Sequence, residues 1–231
     1  MNASTPSLKS RLKAVTRVTP ETLARPFGRA WALTCYSLFD QGLLRILWTN
    51  LEEIAPGVWR SNQPGPRRVA RYARMGIKTI LVLRGVGEEA HFQLEKDACA
   101  RHGIALEVVT LNVTKAFPAS RFLTLLETFR AIEGPFLMHC KSGSDRAGLA
   151  SALYLLDQGR PVAEARKMMS LRYLHLSNSD AGILDVMLDH FEEAQAEGPV
   201  TLEDWLKTSY DPVRLTEDFK AGRRHGKPWP R

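Results

Sequence analysis

The residues able to do chemistry in this chain are concentrated between Pro135 and Leu149, which read PFLMHCKSGSDRAGL. Cys140 closes an apolar run, and Arg146 follows where a helical pattern begins. Between them lie only small, polar or charged residues: Lys141, Ser142, Gly143, Ser144 and Asp145. Such a loop lets successive backbone N–H groups turn inward around an anion, and Gly143 can take a positive φ without steric cost. The N-terminus of the following helix adds positive potential at the same place. A thiol at the mouth of that cradle is favoured as a thiolate nucleophile. A guanidinium at its exit can hold two phosphate oxygens in a bidentate fork. The spacing therefore implies phosphoryl transfer through a cysteinyl-phosphate, with residues 141–146 binding the phosphate.

His139-Cys140-x5-Arg146, with Gly143 inside the loop, resembles the H-C-x-x-G-x-x-R signature of the protein tyrosine phosphatase superfamily. The stretches VWRSNQP after Gly57 and IKTILVLRG after Gly76 resemble its small, dual-specificity-like bacterial members, and the likeness runs from about Val58 to Phe191. It implies a phosphatase of the phosphotyrosine or dual-specificity type that needs no metal and no cofactor. Cys140 would be the nucleophile, Arg146 the phosphate clamp and His139 a supporting residue.

The chain departs from that pattern in two places. The family carries a general-acid aspartate on an upstream loop, yet no aspartate lies between Asp97 and Asp145, and the loop itself reads Asn112-Val113-Thr114-Lys115-Ala116-Phe117-Pro118. A leaving alkoxide needs a proton. Asp145 is the candidate acid, because relatives acting on phosphoinositides, including the myotubularin-like ones, also carry Asp directly before the arginine. Its alternative role is to cap the helix or pair with Arg146. The second departure is Ala147, where the family has a Ser or Thr that helps break down the intermediate; slow breakdown is expected. Asn178 and Asp180 lie where relatives position the hydrolytic water, although Ser179 or Asp180 could instead cap a helix.

The formal charge of +7 implies attraction to something acidic. Together with Lys141 beside the nucleophile, it favours a substrate more anionic than a single phosphotyrosine. Phosphoproteins, phosphoinositides and other phospholipids all stay open as substrates. No nucleic-acid-binding module is present in the sequence, so no nucleic acid is expected as a partner. The missing upstream acid and Ala147 also admit a different class, a phosphate-binding pseudophosphatase. Cys35, Cys99 and Cys140 form neither a metal-ligand pattern nor a disulfide framework, which suits a reducing, cytoplasmic setting. No secretory signal or membrane span is read.

The elements that must position the loop follow from periodicity and breakers. Residues 1–25 read as a basic flexible tail, and residues 26–55 as an apolar helical segment rich in Trp, Leu and Phe. With the tail, this segment could contact an anionic membrane through residues 1–50. Residues 56–197 read as the phosphatase domain and residues 198–231 as a helical extension with a basic tail. Apolar runs at 77–83, 104–113 and 136–139 read as strands, alternating with helices at 67–75, 88–102 and 118–133. Helices at 146–158, 162–173 and 180–197 follow the loop. The alternation predicts an α/β fold with a mainly parallel central sheet flanked by helices. Ligands in such folds bind beyond the carboxyl ends of the strands, where Cys140 falls.

Overall fold

The structure is a computed structural model and describes residues 16–112, 115–224 and 227–228. The β-branched run after Gly76 forms β3 (Thr79–Val82), and the run before the loop forms β5 (Phe136–Cys140). They pair in parallel, with Val82 opposite His139. On the other side β5 pairs in parallel with β2 (Val58–Asn62), Asn62 standing opposite Cys140. An edge strand, β4 (Ala105–Val108), joins β3, and β1 (Glu52–Ala55) turns back onto β2 through Gly57, whose φ is 75°. The sheet order is β1-β2-β5-β3-β4, antiparallel only at β1.

Side-chain alternation along the central strands builds two cores. Leu81 and Met138 face one side, with Leu125 of α5 (Ala119–Ala131), Leu149 and Leu153 of α6 (Asp145–Asp157) and Phe191 of α8 (Ile183–Glu197). Ile80, Val82 and Leu137 face the other, with Val69 and Tyr72 of α3 (Pro66–Arg74) and Ala98 and Cys99 of α4 (Ala90–His102). All three cysteines are free. The expected mainly parallel α/β architecture is what the chain adopts.

Several boundaries differ from expectation. The strand read over 104–113 is regular only over Ala105–Val108; beyond it Val109 N–H still donates to Val82 O and Leu111 N–H to Leu83 O, but β3 itself ends at Val82. The helix read over 162–173 is only α7 (Val162–Ala165), followed by single turns at Arg166–Met168 and Leu171–Tyr173. The break falls where the Met168 carbonyl is drawn to Arg60. Within 26–55 the helical part is α2 (Gly28–Leu38) and a turn at Leu44–Ile46, while 52–55 is strand β1. Of the basic tail, residues 1–15 lie outside the described residues, but Thr19 caps α1 (Pro20–Ala24) and Val18 is buried with Ala32, Cys35 and Leu94. In the C-terminal extension α9 (Leu202–Thr208) and α10 (Pro212–Lys220) start as expected on caps from Thr201 and Asp211, and much of the basic tail after them lies outside the described residues.

Candidate active site

The loop from Lys141 to Arg146 joins the carboxyl end of β5 to the N-terminus of α6. Its carbonyls are held from outside. Gln63 N–H donates to Lys141 O (3.2 Å) and Asn50 Nδ2 to Ser142 O (3.0 Å). Arg60 Nη2 donates to Gly143 O (2.6 Å) and, more weakly, to Ser144 O (3.4 Å). The same guanidinium reaches Met168 O through Nη1 (2.6 Å) and lies 3.7 Å from the centroid of the Tyr173 ring. Among the described residues, no protein group accepts from the N–H groups of Lys141, Ser142, Gly143 or Ser144. With carbonyls turned out and amides unclaimed, the loop has the geometry of a backbone nest, a concavity of the kind that can receive an anion.

Two details fix that shape. Gly143 has φ 75°, and a Cβ there would stand 2.8 Å from Asn62 N and 2.9 Å from the Asn50 Cβ. The loop thus rests directly on the end of β2 and on the residues before β1. Arg60 is fully buried. Burial pulls its pKa down to about 10, which leaves it charged at neutral pH.

Cys140 is buried at the floor of the loop. His139 Nε2 lies 2.8 Å from Glu95 Oε1, both side chains being fully buried, and Glu95 Oε2 accepts from Gln63 Nε2 (2.8 Å). His139 is therefore a core side chain lying against a buried carboxylate. Arg146 is half-buried and forms no salt bridge with any described residue, so its fork is available to a ligand.

Asp145 has a more demanding setting than its sequence position suggests. Its Oδ1 accepts from Ser144 Oγ (2.8 Å) and lies 2.8 Å from His175 Nδ1. The other ring nitrogen, Nε2, is 2.9 Å from Asp185 Oδ2. Burial alone would raise the Asp145 pKa, but the hydrogen bonds from His175 and Ser144 and the charges of His175 and Arg146 outweigh it and hold the carboxyl below its ordinary value. Burial likewise opposes charge on His175, yet its two carboxylate partners push it up to about 9. An imidazolium clamped between two carboxylates thus ties the loop to residue 175.

This clamp has a pH signature. The folded pKa of His175 lies above the ordinary histidine value near 6.5, so its stabilisation is complete below that value and is lost as pH rises through about 9. Melting temperatures of wild type and His175→Gln should differ most at pH ~6 and converge above pH ~9. A gap that stays constant across that range would count against the clamp.

Among the described residues, no hydrogen bond joins Asn178 or Asp180 to the loop. Ser179 Oγ instead accepts from Ala181 N and caps a turn at Asp180–Gly182. It is the preceding part of the same segment that reaches the site, through His175 and through Leu174 O, which accepts from Ser144 Oγ (3.3 Å). In the upstream loop, Val113 and Thr114 lie outside the described residues. Among the described residues no group of three His, Cys, Asp or Glu side chains could hold a metal ion.

Arg60, Asn50 and His175 are site residues that sequence reasoning passed over. Arg60 left one signal: a charged residue at an inward position of the strand VWRSN. Asn50 and His175 left none.

The mainly parallel sheet carries a cysteine at the carboxyl end of its central strand, and the loop that follows is closed by an arginine. Residues 55–167 match the tyrosine phosphatase family. Over 108 residues the chain is 31% identical to the dual specificity protein phosphatase TpbA of Pseudomonas aeruginosa (strain UCBPP-PA14), an alignment that covers 46% of this chain and 45% of that one. The chain thus spans less than half the length of the curated relatives it matches. Among solved structures it is similar to P. aeruginosa TpbA, with TM-score 0.51 and 24% identity over 64% of this chain and 91% of that one. It is also similar to the core catalytic domain of the PP-IP phosphatase SIW14 from S. cerevisiae, with TM-score 0.51 and 20% identity over 64% and 90%.

Proposed function

We propose that this chain is a cysteine-dependent phosphatase of the dual-specificity type, hydrolysing phosphomonoesters through a cysteinyl-phosphate. The observation that carries the reading is the loop itself, whose carbonyls are claimed by the scaffold and whose amides are left to an anion above Cys140. Those amides would stabilise the equatorial oxygens of the transferring phosphoryl group, and Arg146 would grip two of them. Cys140 would be the nucleophile, and the N-terminus of α6 adds positive potential where the phosphoryl group would sit. Turnover of an aryl phosphate with EDTA present tests the reading. No turnover would favour the pseudophosphatase reading, against which the intact Cys140 and Arg146 stand.

For Asp145, the depressed carboxyl and its clamp on His175 support a positioning role over that of proton donor. The Asp145→Asn variant separates the two. Positioning predicts a similar loss, on the order of tenfold to a hundredfold, for good and poor leaving groups alike, together with a lower melting temperature. Loss confined to poor leaving groups would restore the acid role. Asn178 and Asp180 have no contact here that supports positioning of water. The working phosphatase unit takes in residues 56–197.

Phosphoprotein substrates follow the printed name of the dual-specificity relatives. The phospholipid reading has one specific observation behind it. Phe27, Leu38, Phe39, Leu43, Leu44, Ile46 and Leu47 are exposed on one short stretch. Beside it an apolar groove of about 700 Å³ is edged by Arg29, Arg67, Arg68, Arg71 and Arg101. Apolar side chains with a cationic margin suit an anionic bilayer surface. No helix among the described residues is long and apolar enough to cross a membrane. The full chain is expected to sediment with phosphatidylglycerol vesicles and not with phosphatidylcholine vesicles, and Leu38, Ile46 and Leu47 changed together to Gln should abolish it. Equal sedimentation of that triple variant would remove the membrane reading.

A further inference from the structure

Beside the phosphate loop lies a second group of charges. The parallel register sets Val82 against His139, so two residues on, Arg84 stands level with Lys141 at the carboxyl ends of β3 and β5. Both meet the carboxylate of Asp40, which reaches in from the turn after α2. Arg84 takes both oxygens in a fork, Nη2 to Oδ1 at 3.0 Å and Nη1 to Oδ2 at 3.2 Å. Lys141 Nζ is 4.0 Å from Oδ1. Arg45, itself buried, adds a third cation at 2.5 Å from Oδ2. His91 is 3.9 Å from Oδ1, but burial first, and then its cationic neighbours, drive its pKa down to about 3, so it contributes no charge. The next acid, Glu95, is engaged deeper with Gln63 and His139.

One carboxylate therefore faces three cations at the lip of the loop proposed above to hold the scissile phosphate. Leaving such an excess half-buried is costly unless a further anion supplies the balance. The fork of Arg84 on Asp40 is also the geometry with which a guanidinium holds a phosphate.

We propose that Arg84 and Lys141 form a second anion subsite, occupied at rest by the Asp40 carboxylate, which a second phosphoryl group on the substrate displaces. The preferred substrate is then a phosphomonoester carrying another phosphate close to the scissile one. Asp40 acts as an internal competitor that selects against singly charged substrates. The inference deepens the phosphatase reading and rests on it for the position of the scissile group.

The test measures binding on the full-length Cys140→Ser protein by calorimetry, with inorganic pyrophosphate and inorganic phosphate as probes. Pyrophosphate should bind at least about tenfold more tightly than phosphate. Arg84→Gln should bring the two within about twofold, whereas Arg160→Gln, an equal change of charge at the exposed turn after α6, should leave the ratio unchanged. Asp40→Asn should widen the ratio. Equal binding of the two probes to the parent protein, or equal effects of Arg84→Gln and Arg160→Gln, would overturn the subsite. Both hold even where Asp40→Asn does not fold. If Asp40→Asn folds and narrows the ratio, the competitor role is overturned. Because the readout is binding, a protein that turns over no aryl phosphate fails the function proposed above while the pyrophosphate ratio still judges this one.

Discussion

Cys140→Ser should lose at least about 10⁴-fold in kcat on an aryl phosphate, in line with removal of a nucleophile that acts as part of a unit. A serine hydroxyl is a far weaker acid than a thiol, and the adjacent imidazole of His139 is turned to Glu95. Positive surroundings of this kind do not ionise an alkanol at neutral pH. Binding of phosphate should survive, because the amides, Arg146 and the helix terminus are untouched. The measurement pairs steady-state kinetics with calorimetry of phosphate binding. Retained activity would remove the covalent mechanism, and loss of both activity and binding would mean that the loop had collapsed.

Arg60→Met should be the most damaging change away from the reacting atoms. Methionine matches the stem of the arginine but leaves Gly143 O and Met168 O buried without donors. Each orphaned carbonyl costs about 1–3 kcal/mol, and removing a desolvated cation offsets part of that cost. A net loss of roughly 2–4 kcal/mol follows, which in a chain of this size lowers the melting temperature by roughly 5–15 °C. Activity should fall further than stability suggests. Once the carbonyl of Gly143 is free to turn, its neighbouring amides leave the positions where phosphoryl oxygens form. Loss of a preorganised donor costs about 10²–10³ in kcat. Thermal melts and kcat on the same preparation check both halves. A variant that melts within a degree or so of wild type would show that the loop does not depend on Arg60.

What the sequence made legible was what is local. Strand, thiol, small polar loop, arginine and helix sit within Pro135–Leu149, so composition and order alone expose the nest and its chemistry. The sheet class followed for the same reason, since the apolar strand of IKTILVL and its helical neighbours each declare themselves over a few residues. Bracing is not local. Arg60, Asn50 and His175 come from distant parts of the chain, and only the register of β2 on β5 and the path after α7 bring them to the loop. Asp145 shows the limit within a single residue: its place beside Arg146 could be read directly, but the sign of its pKa shift depends on His175 and Ser144. The segment over 162–173 carried helical periodicity throughout, and the pull of Arg60 on Met168 O overrode it.

The family match spans residues 55–167. Asn50, which donates to Ser142 O and Tyr173 O, lies before it; Met168, Tyr173 and His175 lie after it. Arg60 is inside the match, yet two of the groups that fix its guanidinium, Met168 O and the Tyr173 ring, are not. The cooperative unit that gives the loop its shape is therefore wider than the stretch by which kinship is detected. A fragment trimmed to the recognisable segment would keep every residue of the signature and lose the frame that makes those residues converge.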